Sequence, residues 1–362
     1  MILQCSNSAG YNVCQGGAAI AVNGPLRFRS VGSRFFERIP VKSIVTKSHF
    51  EIKVAQPYRL DLTVSALRRL STNLVDVLTP QGIYIRALGG FQKSMVVCVA
   101  QESADALVVT LDGHAVEHVQ ALATVRRMLG VDRDLSYFNR AAKDIQWLRP
   151  LATQMRGVKP PRYPSLWEAC VNAIVFQQVS LIAASSILRR VIEAIGAPIE
   201  YCGHSLREFP SIESFEGVND AVLRSAGLST NKLATLRRVA NLLLSRKLDE
   251  AFLEDLPSPE ASERLCQIKG IGPWTATVIL LRGIGRLDVF PMNDSSVARN
   301  LIAVAGTAPV DIDRVLRMLG PQRGMLYYHL LLARLDARGD IGRASSLSGL
   351  KPRQTAYQRS GL

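Results

Sequence analysis

The sequence lacks several features that define common protein classes. No unbroken apolar run reaches the roughly 18 residues that a membrane-spanning helix needs. No charged side chain precedes Arg27, which argues against the basic start of a signal peptide. The six cysteines are scattered without a C-x-x-C pair. We therefore expect a cytoplasmic, reduced protein that holds neither zinc nor an iron–sulfur cluster.

The composition favours a globular protein with an anionic partner. Hydrophobic residues make up 48% and charged residues 20% of the 362 positions, which suits a chain of about two domains. The 44 basic side chains outnumber the 30 acidic ones, and the formal net charge is +14. Nucleic acid is the first candidate partner and an acidic membrane the second. Since no amphipathic anchor supports the membrane, we expect no membrane partner.

The chain is predicted to have two domains between two mobile ends. Residues 1–42 and the basic tail 341–362 are expected to be mobile, because nearly all their charge is of one sign. Residues 43–147 are predicted to form an α+β domain and residues 148–340 an all-helical one. The proline-rich stretch Leu148–Pro164 indicates the boundary.

Local patterns predict individual elements in both domains. In the second domain, cap signals predict helix starts at Ser165, Ser180 and Ser258, and Ser165 with Glu168 has the spacing of a capping box. The first domain is predicted to hold strands at Tyr84–Leu88, Met95–Ala100 and Leu107–Leu111, and helices at Leu60–Leu70 and Val116–Leu129.

A tight Gly-x-Gly turn joins two short helices of the second domain. The turn contains Gly270 and Gly272, and the second helix opens at Trp274. Glycines permit positive φ and close backbone approach, and the free amides of a helix start attract phosphate. The turn therefore predicts a phosphate-binding hairpin, with an ordinary packing corner as the alternative.

Asp294 stands where the N-cap of the next amphipathic helix is expected. The free amides and the dipole of a helix start favour the ionised carboxylate. A carboxylate held charged beside a DNA-binding hairpin stabilises an oxocarbenium-like transition state, as carboxylates do in glycoside hydrolysis. A plain helix cap is the alternative.

The hairpin Ile268–Ala276, followed by Asp288–Phe290 and Asp294, resembles the helix-hairpin-helix-GPD superfamily of DNA glycosylases, and within it the DNA-3-methyladenine glycosylase II branch. The resemblance implies an α+β N-terminal domain, a small antiparallel sheet with helices, followed by an all-α helix-hairpin-helix glycosylase core. It also implies a base-excision-repair enzyme that flips a damaged, alkylated base and hydrolyses its N-glycosidic bond to leave an abasic site.

The resemblance assigns roles to the matching residues. Asp294 matches the catalytic aspartate, and Gln178 matches the wedge that fills the gap left by the flipped base. Trp274 stands where bifunctional relatives carry a nucleophilic lysine, which implies a monofunctional enzyme without lyase activity. Trp274 is expected in the base pocket or, alternatively, in the core. The residues expected at DNA are Lys269, Gly270, Gly272, Thr275 and Gln178.

The expected partner is double-stranded DNA containing damaged bases, bound by a monomer in the nucleoid. The implied reaction requires no cofactor, while the resemblance allows a monovalent cation held by carbonyls of the hairpin 268–273. Three positions depart from the aromatic residues of the branch's pocket, which puts a preference for positively charged bases in doubt. They are Val278, Ser295 and Gln322, for which Tyr163, Tyr327 or Tyr328 would have to compensate.

Three other functions remain open from the sequence. The same scaffold would suit a non-catalytic DNA-damage-binding protein, or a glycosylase for an oxidised or deaminated base. The run from His114 to His118 fits the H-x-x-E-H pattern of inverted zinc peptidases. The alternative interpretation of that run is the start of a surface helix.

Overall fold

The computed structural model describes residues 11–13, 45–292 and 294–342. The ends that the sequence predicts to be mobile therefore lie almost wholly outside the described residues. The predicted fold class is confirmed: a small antiparallel sheet with helices precedes a helical body.

The strands of the first domain form one six-stranded antiparallel sheet. They are β1 (Tyr11–Val13), β2 (Val45–Lys53), β3 (Val77–Leu78), β4 (Tyr84–Leu88), β5 (Met95–Gln101) and β6 (Ala106–His114). Their order across the sheet is β1-β2-β6-β5-β4-β3. β2 and β6 pair over the full length of β2, from Val45 opposite His114 to Lys53 opposite Ala106. The three strands predicted from the sequence are found as β4, β5 and β6.

Two helices pack with this sheet, α1 (Leu60–Arg68) and α2 (His118–Leu129). Val64 of α1 and Val125 of α2 share a buried core with sheet residues such as Val99. Other residues of α1, among them Leu62, point into a second cluster formed by the helical body. Helix α1 therefore connects the sheet to the part of the molecule that holds the cleft.

Thirteen further helices follow in the described part of the chain. They are α3 (Ser136–Ala141), α4 (Arg149–Gln154), α5 (Leu166–Val175), α6 (Leu181–Ile195), α7 (Ile212–Glu216), α8 (Asp220–Ser225), α9 (Thr230–Leu244), α10 (Glu250–Asp255), α11 (Ser258–Cys266), α12 (Pro273–Ile279), α13 (Ser295–Ala305), α14 (Ile312–Leu319) and α15 (Met325–Ala337). None of the helices in the described ranges is long and apolar enough to cross a bilayer.

The helical body contains two buried hydrophobic clusters. It also contains a β-hairpin, which the sequence did not predict. One cluster joins α5, α6, α9, α11 and α12, and the other joins α1, α3, α4, α14 and α15. The hairpin β7 (Pro198–Tyr201) and β8 (His204–Arg207) packs Ile199 and Leu206 against Ile85 and Val96 of the sheet. The body is therefore helical with one short β-hairpin.

The predicted helix caps are only partly formed. Ser165 caps α5 by accepting from the Glu168 amide at 3.2 Å. The Glu168 carboxylate does not complete the capping box, because it bonds to the buried Arg86, which also bonds to Asp76 at 2.6 Å. Ser258 lies inside α11 and donates to Asp288 Oδ1 at 2.9 Å, so the prediction that Ser258 is an N-cap is wrong.

The H-x-x-E-H run leads into α2, which begins at His118, and Val116 within the run is 78% exposed, as expected for the start of a surface helix. Its two histidine side chains are buried, with His114 4% and His118 5% exposed. The His118 ring meets Phe50 edge-on with centroids 5.9 Å apart. Within the described ranges, no group of three or more His, Cys, Asp and Glu side chains is placed to hold a metal ion.

Burial of His329 makes stability depend on pH. His329 lies in α15 beside Phe138, and its Nδ1 donates to the Met325 carbonyl at 2.8 Å. Burial lowers its pKa to about 4, so the unfolded chain binds the proton more strongly. The stability contributed by the neutral ring is complete above the ordinary pKa of 6.5 and is lost as pH falls toward 4.

We expect His329→Leu to flatten the pH dependence of stability. Between pH 7 and pH 5, the free energy of unfolding of the native protein should fall by about 2 kcal/mol more than that of the variant. Urea unfolding followed by circular dichroism at both pH values measures the difference. Equal pH dependence in the two proteins would contradict the assignment.

Candidate active site

A cleft of about 1020 Å³ opens between the α5–α6 turn, the α11–α12 hairpin, α13 and α15. It brings together residues that are far apart in the sequence. Of the predicted site residues, Gln178, Gly270, Gly272, Trp274, Thr275 and Asp294 line it. Lys269 is exposed on the hairpin beside the cleft and is not part of its lining.

The Asp294 carboxylate is held by three donors. As the N-cap of α13, its Oδ1 accepts from the amides of Ser296 at 2.7 Å and Val297 at 3.2 Å. Its Oδ2 accepts from Trp274 Nε1 at 2.8 Å. Both carboxylate oxygens therefore accept hydrogen bonds, and the positive end of the helix dipole lies beside them. The carboxylate therefore has a defined position on the wall of the cleft.

Trp274 has a role that the sequence did not predict. It lines the cleft, as expected for a pocket residue, but its indole N–H is committed to Asp294. The indole N–H of tryptophan is a donor only, so it suits a carboxylate oxygen. Because the indole accepts no hydrogen bond, it does not compete with Asp294 for the amides of Ser296 and Val297. Trp274 thus links the hairpin helix α12 to the start of α13.

The two hairpin glycines are suited to their positions for different structural reasons. Gly270 has φ +99°, and a Cβ at this position would lie 2.0 Å from Thr235 Oγ1. Gly272 has φ −101° and open space where a Cβ would be. Gly270 is therefore needed for the turn and its packing on α9, while Gly272 leaves the hairpin surface open to another backbone.

Gln177 was missed by the sequence analysis, which selected its neighbour. Its side-chain amide donates to the Gly270 carbonyl at 2.9 Å and to Thr275 Oγ1 at 2.8 Å. Thr275 is 3% exposed, and its hydroxyl accepts this hydrogen bond, so its side chain helps to hold the hairpin in place. The Gln177-Gln178 pair carried no spacing signal that distinguishes these two tasks.

Gln178 lies exposed between α5 and α6 at the edge of the cleft. Its φ of +55° is in the left-handed region, which non-glycine residues adopt rarely. Residues held in this region cluster at functional sites, where the surrounding structure fixes them.

Most carbonyls of the hairpin 268–273 already accept a hydrogen bond from the protein, and the monovalent cation expected there stays a prediction. The carbonyl of Ile268 accepts from the Ile271 amide, that of Lys269 from Arg238, and that of Gly270 from Gln177. The guanidinium of Arg238 already places a positive charge on this hairpin. No step of the chemistry below involves a cation.

The three positions expected to weaken the aromatic pocket have separate outcomes. Val278 lines the cleft, and the Ser295 side chain is outside the described part. Gln322 lies away from the cleft, where it bonds to the Phe138 amide at 2.8 Å and the Asp134 carbonyl at 2.8 Å. Position 322 is therefore not part of this pocket, and the residue there does not change its aromatic character.

Only one of the candidate compensating tyrosines reaches the cleft. Tyr327 lines it. Tyr163 and Tyr328 are buried, with hydroxyls bonded to Asn172 at 2.9 Å and to the Pro161 carbonyl at 3.1 Å. The aromatic side chains of the cleft lining are thus Phe176, Trp274 and Tyr327.

Three arginines that the sequence analysis did not select line the cleft: Arg69, Arg299 and Arg334. Burial lowers the pKa of Arg334, and the nearby charges of Arg299 and Arg338 lower it further, while Asp294 opposes them. Asp294 is the only carboxylate among the described residues of the lining. Among the described lining residues, one negatively charged side chain therefore lies with three positively charged ones.

Comparison with known proteins finds similar sequences among DNA repair proteins. Residues 171–316 match the HhH-GPD superfamily of base excision DNA repair proteins. The DNA-3-methyladenine glycosylase of Bacillus subtilis is 28% identical over 177 residues, 49% of this chain and 58% of the relative. The DNA-3-methyladenine glycosylase 2 of Escherichia coli is 25% identical over 277 residues, 76% of this chain and 93% of the relative. The chain thus spans 58% of the Bacillus relative's length.

Solved structures share the fold. The 3-methyladenine DNA-glycosylase from Archaeoglobus fulgidus has a TM-score of 0.66 and 24% identity, covering 79% of this chain and 99% of that one. The 8-oxoguanine glycosylase/lyase of Clostridium acetobutylicum, in complex with double-stranded DNA, has a TM-score of 0.63 and 16% identity, covering 82% and 98%. Both likenesses extend over the sheet and the helical body.

An alanine substitution is expected to destabilise the protein more at Gly270 than at Gly272. We expect Gly270→Ala to lower the free energy of unfolding by about 1–3 kcal/mol, because the new methyl group meets Thr235 and φ is positive. Gly272→Ala is the matched control, and its change should stay below about 1 kcal/mol. Urea unfolding measures both. Equal losses would contradict the assigned packing.

Proposed function

We propose, from the membership of residues 171–316 in the HhH-GPD superfamily of base excision DNA repair proteins, that this chain is a DNA N-glycosylase for alkylated bases. The observation that carries the proposal is the Asp294 carboxylate, held by three donors on the wall of a cleft beside the hairpin. Its partner is double-stranded DNA containing a damaged base, which the enzyme meets in the nucleoid.

The proposed reaction starts from a flipped nucleotide, because the glycosidic bond is inaccessible within the base stack. Gln178, exposed at the edge of the cleft, fills the gap in the duplex. The Asp294 carboxylate stabilises positive charge that develops on the sugar as the bond breaks. A water oxygen bonds to C1′, the base leaves with the bonding electron pair, and an abasic site remains.

The proposed enzyme has no lyase activity. Strand cleavage through a Schiff base requires an amine nucleophile at the sugar. The described residues that line the cleft include three arginines and no lysine. Trp274, at the hairpin position where the family's lysine is expected, donates to the carboxylate instead. Water is thus the nucleophile that this site provides for.

The hairpin supplies the grip on the DNA backbone. Gly272 has open space at its Cα, so a phosphate approaches the main chain closely. Lys269 is exposed next to it and adds positive charge. Phosphate contacts of this kind position a protein without reading the base, so selection of the lesion falls to the cleft.

We expect Asp294→Asn to abolish most base release while DNA is still bound. Loss of the negative charge should reduce the single-turnover rate by about 100-fold or more. Release of free base is measured from a duplex that contains one alkylated base. Strand breaks counted with and without alkali measure the abasic product. Breaks should appear only after alkali. Asp288→Asn is the matched control, since Asp288 bonds to Ser258 outside the cleft.

Three results would reject these assignments. Full activity in Asp294→Asn would remove the role of Asp294. Tight binding to damaged duplex with no base release by the native protein would instead support a non-catalytic damage-binding protein on this scaffold. Strand breaks without alkali would reject the water-based reaction.

We expect Trp274→Phe to slow chemistry more than binding. The variant keeps an aromatic ring and loses the donor to Asp294 Oδ2. A hydrogen bond to a charged group predicts a loss of roughly tenfold or more in the single-turnover rate, with the Kd for lesion DNA changed by less than about threefold. Trp147→Phe, outside the cleft, is the control. Equal losses in rate and affinity would indicate a general defect of the pocket.

A further inference from the structure

Arg69 is a buried arginine that reaches the cleft from the N-terminal domain. It follows α1 directly, with φ +62° in the left-handed region. The residue is 4% exposed, and it lines the same cleft as Asp294 and Trp274. The sheet domain therefore contributes a charged group to a site that is otherwise built by the helical body.

The Arg69 guanidinium has few partners within the protein. Its Cζ lies 3.8 Å from the centroid of the Phe176 ring, and Nη1 is 3.4 Å from Asn172 Oδ1. Across residues 45–292 and 294–342, no carboxylate forms an ion pair with it, whereas the buried Arg86 pairs with both Asp76 and Glu168. Buried charges are usually paired, so a desolvated guanidinium open to a cleft is suited to a ligand.

The position of Arg69 is set by a second buried arginine. Arg282 donates from Nη2 to the carbonyls of Ala66 at 2.9 Å and Leu67 at 3.0 Å, in the last turn of α1. It is 1% exposed and lies 5.0 Å from the centroid of the Tyr163 ring. The helical body thus holds the end of α1, and with it Arg69, at the wall of the cleft.

The charge of the cleft does not suit a cationic base. An aromatic face attracts a cation, but the Phe176 face is already covered by Arg69. Arg299 and Arg334 add positive charge to the lining, against the single carboxylate Asp294. Guanidinium N–H groups donate and never accept. The group that fits Arg69 is a neutral base with carbonyl oxygens or unprotonated ring nitrogens at its edge.

We propose that Arg69 is the base-recognition residue of this cleft and selects neutral, acceptor-bearing alkylated bases over cationic ones. This inference rests on the proposed glycosylase function. When the C1′–N bond breaks, the bonding pair passes to the base and the water oxygen bonds to C1′. One water proton ends on the nitrogen of a neutral base, and it is released to solvent when the base was cationic. A neutral base leaves with developing negative charge, which the Arg69 donors stabilise. A cationic base leaves neutral and needs no such donor.

The test compares two lesions in one duplex sequence. One is 1,N6-ethenoadenine, a neutral alkylated base with acceptor nitrogens, and the other is cationic 7-methylguanine. Single-turnover base release is measured for the native protein, Arg69→Met and Arg69→Lys. We expect Arg69→Met to reduce the rate of ethenoadenine release by about 10- to 100-fold. The rate of 7-methylguanine release should stay within about twofold of the native rate or exceed it. Arg69→Lys should fall between, since it keeps the charge and loses the fork.

The control is Arg68→Met, which removes a neighbouring buried guanidinium whose partner is the Asp340 carbonyl, outside this cleft. It should leave the ratio of the two rates unchanged. Equal losses on both lesions in Arg69→Met would overturn the inference and indicate a structural role. Release of 7-methylguanine alone by the native protein would overturn it as well, while leaving the glycosylase proposal in place. No release from either lesion would contradict the glycosylase proposal itself.

Discussion

The arrangement of the cleft depends on one hydrogen bond, from the Trp274 indole to the Asp294 carboxylate. It joins the two elements that the proposed chemistry needs, the hairpin that meets the DNA backbone and the helix start that carries the charge. Because the amides of α13 hold the other oxygen, the carboxylate is restrained from both sides. In the proposed function, the same indole stands where bifunctional relatives carry a lysine, so one residue would both orient the carboxylate and account for the proposed lack of lyase activity.

The hairpin is held in place by its contacts with Thr235 of α9 and with Gln177. Gly270 packs against Thr235 without room for a methyl group. Gln177 bonds to the hairpin carbonyl and to the buried Thr275 hydroxyl. Such anchoring fixes the height of the hairpin relative to the α5–α6 turn, where Gln178 is exposed. In the proposed reaction, the phosphate contacts at the hairpin and the wedge in the duplex are then held at one distance from the carboxylate, as flipping a nucleotide into a fixed pocket requires.

The sequence predicted local features well and tertiary ones poorly, for physical reasons. Periodicity and turn chemistry located α1, the strands β4–β6 and the hairpin, because these signals lie within a few residues. The Asp294 cap was predicted for the same reason. By contrast, Glu168 had the spacing of a capping box, yet a buried Arg86 from the sheet takes its carboxylate. Arg69 carries no local signal at all, since its place in the cleft depends on how α1 meets the helical body.

In the proposed reaction, the cleft separates two electrostatic tasks, one at the sugar and one at the base. The negative charge of Asp294 acts on the sugar, where positive charge develops in the transition state. The guanidinium of Arg69, brought from the other domain and covering Phe176, acts on the base, where electrons accumulate as the bond breaks. Opposite charges at the two ends of one breaking bond stabilise its polarisation more than either does alone. Selectivity then follows from the charge that the base carries as it leaves, and shape need not distinguish the lesions.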